Sequence, residues 1–235
     1  MKATVAATST PSGVGGSESK GIASVVERLQ KNRLIPVIVI DDPANAVPLA
    51  RALEAGGLPC AEITFRTASA LKAIERIARE CPKVLVGAGT VLTPQQAEDA
   101  RSAGAQFVVA PGFGAAMVDY CVEPGIPVFP GVATPTEIEF ALSRGLSVMK
   151  FFPSEPLGGV AYLKAMSAPY GKIDFLPSGG INLSNLSAYL SYPRIIACGG
   201  SWIAPPDWIS AGQFDRIRDE VRKSVATVQA VEKEG

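Results

Sequence analysis

The stretch PVFPGVATPTEIEFALSRGLSVMKFFP, residues 127–153, holds one complete repeat of the pattern that decides the fold. A short apolar run at 127–130 precedes Thr134-Pro135, an N-cap residue followed by proline at the first helical position. The helical run 135–143 is followed by Gly145, the residue type expected just after a helix, and a second apolar run occupies 147–151. The stretch therefore predicts a strand, a helix and a second strand.

The same alternation extends in both directions along the chain. Strands are predicted at 35–40, 60–65, 84–87, 107–110, 127–130, 147–151, 173–177 and 195–198. Helices are predicted between them at 44–55, 68–80, 94–103, 115–123, 135–143, 159–168 and 184–190, with an extra helix at 22–31 and a last one at 214–231. Eight strand–helix units predict an α/β protein, a compact (β/α)₈ barrel with an extra N-terminal helix.

An open, doubly wound sheet is the structural alternative. Neither the glycines at 87–89 nor those at 112–114 complete a GxGxxG motif, and the sequence has no Walker A motif, so the barrel is favoured. We expect residues 21–235 to form a single catalytic domain. Residues 1–20 are rich in Ser, Thr, Gly and Ala, which predicts a flexible tail.

Composition limits the functional classes. The chain has 235 residues, 47% of them hydrophobic, and its 22 Lys plus Arg balance 22 Asp plus Glu, so no nucleic-acid or membrane partner is indicated. Histidine is absent and the four cysteines are widely spaced without a CxxC pair, so we expect neither a metal nor another cofactor. Without a signal sequence or a long apolar segment, the expected location is cytoplasmic.

Lys150 is the most informative residue of the predicted strands, because it lies within the apolar run SVMKFFP. Burial favours the neutral, nucleophilic form of an amine, which makes Lys150 a candidate for imine formation. Alternation along the strand places Phe152 on the same face. A lysine that only snorkels at the barrel rim is the structural alternative.

Other polar groups are predicted where strands end, which is where barrels of this kind build their sites. Alternation puts Glu62 and Arg66 on one face of the second strand, either as part of a site or as a buried ion pair that only fixes packing. Thr90 and Pro111 follow the third and fourth strands, where small neighbours leave space. Glycine-rich loops after the last two strands indicate phosphate binding, through Ser178, Gly179, Gly180 and Ser201.

Five of these motifs resemble, in the same order, those of the 2-keto-3-deoxy-6-phosphogluconate (KDPG) and 4-hydroxy-2-oxoglutarate (KHG) aldolases. They are EITFRT at 62–67, VGAGTV at 86–91, KFFP at 150–153, PSGGI at 177–181 and GGSW at 199–202. The resemblance implies a metal-independent class I aldolase of the Entner–Doudoroff pathway, usually a homotrimer. Such an enzyme cleaves the phosphorylated keto acid to pyruvate and glyceraldehyde 3-phosphate.

Residue by residue, the resemblance implies that Lys150 forms the Schiff base and that Glu62 is the general acid/base. It implies that Arg66 and Thr90 hold the pyruvate carboxylate. Ser178, Gly179, Gly180 and Ser201 match positions near the phosphate, and Pro111 and Phe152 are expected to complete the substrate site. Two positions depart from the family: Ser178 stands where many members have threonine, which bears on stereochemical control, and Phe65 replaces a commoner leucine.

Other functions stay open at this stage. Related aldolases act on the galactonate epimer of the phosphorylated substrate or on 4-hydroxy-2-oxoglutarate. A noncatalytic phosphate-sugar binding barrel and an isomerase whose lysine only polarises a carbonyl are more distant alternatives. A partner-binding scaffold is the least favoured, because no predicted helix carries an apolar stripe beyond the needs of the core.

Overall fold

A computed structural model describes residues 18–234, with the side chains of residues 21–233. Residues 1–17 of the predicted tail lie outside the described residues. The extra N-terminal helix is present as α1, Glu18–Asn32, so it includes the last three residues assigned to the tail. Nine strands follow: β1 Leu34–Ile38, β2 Cys60–Thr64, β3 Leu85–Gly89, β4 Val108–Val109, β5 Val128–Phe129, β6 Gly131–Val132, β7 Val148–Phe151, β8 Asp174–Pro177 and β9 Cys198–Gly200.

The remaining helices alternate with the strands. They are α2 Ala46–Ala55, α3 Ala70–Glu80, α4 Pro94–Ser102, α5 Ala115–Val122, α6 Pro135–Leu142, α7 Gly159–Ser167, α8 Leu186–Leu190, α9 Pro206–Ser210 and α10 Phe214–Glu234, with short 3₁₀ turns at Pro43–Asn45 and Glu155–Leu157. Helix α9 was not predicted. None of the helices in the described range is long and apolar enough to cross a membrane.

The strands form a closed barrel. Six parallel strands lie in the order β5-β4-β3-β2-β1-β9, and three more in the order β6-β7-β8. Parallel bridges from Phe175 to Ile195 and from Ser178 to Gly199 join β8 to the segment that contains β9. Strands that are consecutive in the sequence are therefore adjacent around the whole barrel. This order excludes the doubly wound alternative and confirms the (β/α)₈ fold.

Two strand predictions were wrong in detail. The fifth strand, predicted at 127–130, is present as β5, but a further short strand, β6, follows Pro130 and was not predicted; proline separates the two because it has no N–H to continue the ladder. The last strand is β9, three residues later than the start predicted at 195, because residues from Cys198 pair with β1 from Leu34 onwards, whereas Ile195 makes only an isolated bridge. The third strand also extends further than predicted, to Gly89, which brings Thr90 to its immediate end.

Local chemistry agrees with these elements. Helix α6 begins with a complete capping box: Thr134 Oγ1 accepts from the Glu137 amide, and the Glu137 carboxylate accepts from the Thr134 amide at 2.9 Å. The barrel is packed through its centre, since a Cβ at Gly87 would lie 2.4 Å from the Phe107 ring. The polar side chains at the carboxyl ends of the strands therefore stand above a filled core, and this end positions the site.

Candidate active site

Lys150 and Glu62 meet inside the barrel. Lys150 lies on β7 and Glu62 on β2, and Lys150 Nζ is 3.6 Å from Glu62 Oε1. The two residues are 6% and 3% exposed, so both charged groups are withdrawn from water. Lys150 therefore does not snorkel to the rim. A buried amine whose nearest acid is one carboxylate can pass its proton to that carboxylate and become a nucleophile.

One oxygen of the Glu62 carboxylate is not used in any hydrogen bond that holds the described part of the chain together. Among the buried side-chain atoms of the described residues, Glu62 Oε1 is the one without a hydrogen-bond partner. Gly89, on the adjacent β3, makes room for it, since a Cβ there would lie 2.2 Å from the same oxygen. Thr64, two residues along β2, instead donates its hydroxyl to the Ile38 carbonyl at 2.8 Å. An acceptor left open beside an amine can exchange protons with it.

Most of the predicted substrate residues line one cavity at this end of the barrel. It has a volume of about 100 Å³. The predicted residues in its wall are Arg66, Phe152, Ser178, Gly179, Gly180 and Ser201, joined by Val37, Ile181 and Gly199. The Phe152 ring connects the cavity to the buried pair, because its centroid lies 5.0 Å from Lys150 Nζ.

Two glycines of this cavity have backbone conformations that other residues rarely adopt. Gly179 and Gly180 have φ angles of 100° and 84°, both in the left-handed region. No described residue accepts a hydrogen bond from either amide. Buried Ser178 precedes them and is bridged to Gly199, so the two glycine-rich loops lie side by side. Consecutive free amides in such a turn are suited to an anion.

Thr90 and Pro111 lie outside the wall of this cavity. Pro111 lines a neighbouring one of about 270 Å³, and its carbonyl packs against Gly131, which pairs with Lys150. Thr90 has a φ of 57°, a strained conformation for a β-branched residue. Backbone strain of this kind concentrates at functional sites, so the conformation favours a functional role for Thr90. Thr90 does not line the cavity itself.

Arg66 differs from the sequence-based expectation. Alternation ends with β2 at Thr64, and Arg66 lies exposed in the turn that follows instead of on the barrel-facing side with Glu62. In the described part of the chain, Glu62 pairs with Lys150 and Arg66 makes no ion pair. The alternative of a buried Glu62–Arg66 pair that only fixes packing is therefore wrong, and Arg66 lines the cavity that contains the glycine loops.

Sequence reasoning missed several contributors to the site. Val37 and Ile181 line the cavity, although neither was assigned to the site: Val37 lay inside a predicted strand, and Ile181 was only the last residue of the motif PSGGI. Gly89 was recognised only as a small residue in the motif VGAGTV, and its packing against the Glu62 carboxylate was not predicted. No group of three or more His, Cys, Asp or Glu able to hold a metal occurs in the described range.

A larger cavity of about 440 Å³ lies at the opposite end of the barrel, where β5, β7 and β8 begin. Its lining is mainly apolar, with Arg144 and Asp174 among its polar members. Burial raises the pKa of Asp174 above its usual value of 3.8, against the opposing charge of Arg194. Neither Lys150 nor Glu62 lines this cavity, which lies at the amino ends of the strands, whereas active sites of this fold lie at the carboxyl ends.

A lysine and a carboxylate buried together at the carboxyl ends of barrel strands define the class: an enzyme barrel built for amine nucleophilic catalysis. Comparison with known proteins gives the family. The family model "Aldolase: KDPG and KHG aldolase" matches residues 25–220. The chain belongs to this family, which confirms the resemblance found in its motifs.

Individual relatives agree. A 2-dehydro-3-deoxy-phosphogluconate aldolase of Treponema pallidum is 52% identical over 194 residues, covering 83% of this chain and 92% of the relative. The KDPG aldolase of Legionella pneumophila, solved with pyruvate captured as a covalent carbinolamine intermediate, has a TM-score of 0.81 and 39% identity over 84% of this chain and 96% of its own. The corresponding aldolase of Zymomonas mobilis ZM4, solved with 3-phosphoglycerate, has a TM-score of 0.78 and 40% identity over 86% and 93%.

Proposed function

We propose that this protein is a class I aldolase that cleaves 2-dehydro-3-deoxy-6-phosphogluconate to pyruvate and glyceraldehyde 3-phosphate. The observation that carries the proposal is the buried contact of Lys150 Nζ with Glu62 Oε1 at 3.6 Å, beside a cavity with free loop amides. The relative from Legionella pneumophila, which holds pyruvate as a carbinolamine, supports the same covalent chemistry here.

Catalysis begins at Lys150. Its neutral amine attacks the C2 ketone and forms a carbinolamine, and loss of water then gives a protonated imine. Glu62, the only acid paired with Lys150 in the described residues, takes the proton that frees the amine and returns one for the departing hydroxide. The low exposure of both groups keeps bulk water from competing with these transfers.

Carbon–carbon cleavage then uses the imine as an electron sink. Glu62 removes the C4 hydroxyl proton, the C3–C4 bond breaks, and its electron pair becomes an enamine while the aldehyde leaves. The protonated Glu62 returns a proton to C3. Hydrolysis of the resulting imine releases pyruvate and restores the Lys150 amine. The steps need no metal or other cofactor.

The remaining residues are proposed to bind the two ends of the substrate. Arg66 and Thr90 hold the pyruvate carboxylate, and Pro111 and Phe152 complete the wall beside the reacting carbons. The phosphate is bound by Ser178, Gly179, Gly180 and Ser201. The free amides of Gly179 and Gly180 support this part of the proposal, as does the phosphorylated acid held by the Zymomonas mobilis relative.

A second candidate substrate is unphosphorylated 4-hydroxy-2-oxoglutarate. The family name favours it, since the model that matches residues 25–220 covers KDPG and KHG aldolases alike. The galactonate epimer of the phosphorylated substrate needs the same lysine and carboxylate. Relative kcat/KM values for the three compounds separate these activities, and we expect the phosphogluconate to be the best substrate.

Trapping with borohydride tests the chemistry. Pyruvate with sodium borohydride should add one reduced adduct, which peptide mass spectrometry should locate at Lys150. Lys164 is the control site, an exposed lysine on α7 that should stay unmodified. An unchanged intact mass, or an adduct on another lysine, would overturn the imine mechanism and leave the isomerase or the noncatalytic barrel.

We also propose a homotrimer located in the cytoplasm. Leu92 and Phe140 are 58% and 50% exposed, and large apolar side chains of this kind are available for contact with another copy. Cys60, Cys81, Cys121 and Cys198 are all free and buried, which is usual for proteins of reducing compartments.

A further inference from the structure

A hydrogen-bonded unit of three side chains lies directly behind the glycine-rich loop that follows β8. Tyr189, on α8, is 1% exposed and Ser154 is fully buried. The Tyr189 hydroxyl is 2.7 Å from Ser154 Oγ and donates to Glu155 Oε1. The substrate does not need these residues for chemistry, since none of them lines the cavity.

The direction of the bonds follows from proton counting. The phenol has one proton, which goes to the Glu155 carboxylate, so Ser154 must donate to the phenol oxygen. Burial first, and then the bond to Glu155, raise the pKa of Tyr189 above its ordinary value of 10.0, so the phenol keeps its proton at any working pH. Ser154 therefore donates a hydrogen bond to Tyr189, and Tyr189 donates one to Glu155.

The unit is attached to the loop by the backbone. The Ser154 amide donates to the Ser178 carbonyl at 2.8 Å, and the Glu155 amide donates to the Gly179 carbonyl at 3.0 Å. A Cβ at Gly180 would lie 2.6 Å from Glu155 Cβ, so the stem of Glu155 packs directly against this glycine. Ser154 and Glu155 are thus joined to the glycine loop through both backbone and side-chain contacts.

We propose that Ser154, Glu155 and Tyr189 are positioning residues that fix the Gly179–Gly180 amides for the phosphate of the substrate, and so set the preference for phosphorylated over unphosphorylated keto acids. The inference rests on the proposed binding of phosphate at this loop. Tyr189 ties α8, which follows the loop, to the segment that continues from β7. Loss of the tie loosens the amides without touching Lys150 or Glu62.

Two variants test the unit. Tyr189→Phe keeps the buried ring and removes the hydroxyl, and Glu155→Ala removes the acceptor from an exposed position and keeps the Cβ that packs against Gly180. In each we expect KM for the phosphorylated substrate and the inhibition constant of inorganic phosphate to rise about ten-fold, the effect of one lost hydrogen bond to a charged group. The kcat, cleavage of 4-hydroxy-2-oxoglutarate and pyruvate trapping at Lys150 should be unchanged.

Tyr192→Phe is the matched control. Tyr192 lies three residues after Tyr189, and its hydroxyl also forms a hydrogen bond with a serine, at 3.1 Å from Ser167 Oγ. Unlike Tyr189, it is not bonded to the segment that holds the glycine loop. It should leave every constant at the wild-type value. The Glu155→Ala/Tyr189→Phe double variant should resemble either single variant, because the two side chains act as one unit.

The outcomes separate this inference from the proposed function. Equal losses with phosphorylated and unphosphorylated substrates, or no change in phosphate binding, would overturn the positioning role while the wild-type enzyme still trapped pyruvate. A wild-type chain that trapped no pyruvate would overturn the proposed function itself.

Discussion

Adding one methyl group at Gly89 should disable catalysis without unfolding the protein. In Gly89→Ala the new Cβ would lie 2.2 Å from Glu62 Oε1, whereas ordinary contact begins at 3.4 Å. The oxygen must therefore retreat by about 1.2 Å. All three of the nearest atoms, Oε1, Cδ and Cγ, belong to the Glu62 side chain, so rotation about its Cα–Cβ bond can move them aside. The fold is kept, and the acid/base group loses its place beside Lys150.

A displacement of about 1 Å at a catalytic group costs on the order of a hundred-fold in rate. We therefore expect kcat for cleavage of the phosphorylated keto acid to fall about a hundred-fold, measured by coupling pyruvate release to a dehydrogenase. The melting temperature should stay within about 3 °C of the wild type, because alanine is more stable than glycine within a strand and this gain offsets part of the steric cost of the new methyl group.

Gly171→Ala is the control for this variant. A Cβ at Gly171 meets nothing within 4 Å, so the same methyl group should change neither rate nor melting temperature. A Gly89→Ala enzyme with wild-type kcat would refute the assignment of Glu62 as the proton-transfer group. Unfolding of Gly89→Ala would refute the steric reasoning, because it would mean that the side chain cannot yield.

Two further predictions concern stability and assembly. Because burial raises the pKa of Asp174 in the folded state, the protein loses stability as the pH rises from the ordinary pKa of 3.8 through the raised pKa, and Asp174→Asn removes this loss. In melting scans at several pH values, Asp174→Asn should melt higher than the wild type at pH 7, and the difference should vanish below pH 3.8. An equal gain at both pH values would contradict this cause. Light scattering should give a native mass of about three times 24.5 kDa, and a single-chain mass would contradict the trimer.

The sequence predicted the two central residues of the site because each breaks a local rule. Lys150 is a charge in an apolar strand, and Glu62 is a carboxylate in another. Their contact could not be read locally, since 3.6 Å between β2 and β7 exists only after the barrel has closed. Period-two alternation failed at Arg66 for a related reason: it applies only within a strand, and β2 ends at Thr64.

The other differences between prediction and structure occur where contacts with residues distant in the sequence determine the bounds of a strand or the role of a side chain. The predicted fifth strand ended at Pro130, so β6, which lies just beyond this strand-breaking residue, was missed. The start of β9 depended on its register with β1. Tyr189 carried no signal, because a buried tyrosine on a short helix is ordinary until its hydroxyl is seen to reach Ser154 and Glu155 from another loop.

The closure of the barrel also constrains how the chain can fold as it is synthesised. Arg33 donates to the carbonyl of Ile195, 162 residues further along, and β1 pairs with β9 just beyond. Until the ribosome has released the last strand, one edge of the first has no partner and is open to pairing with other chains. Such distant contacts make for slow folding, so the nascent enzyme should depend most on chaperones just before its last fifth emerges.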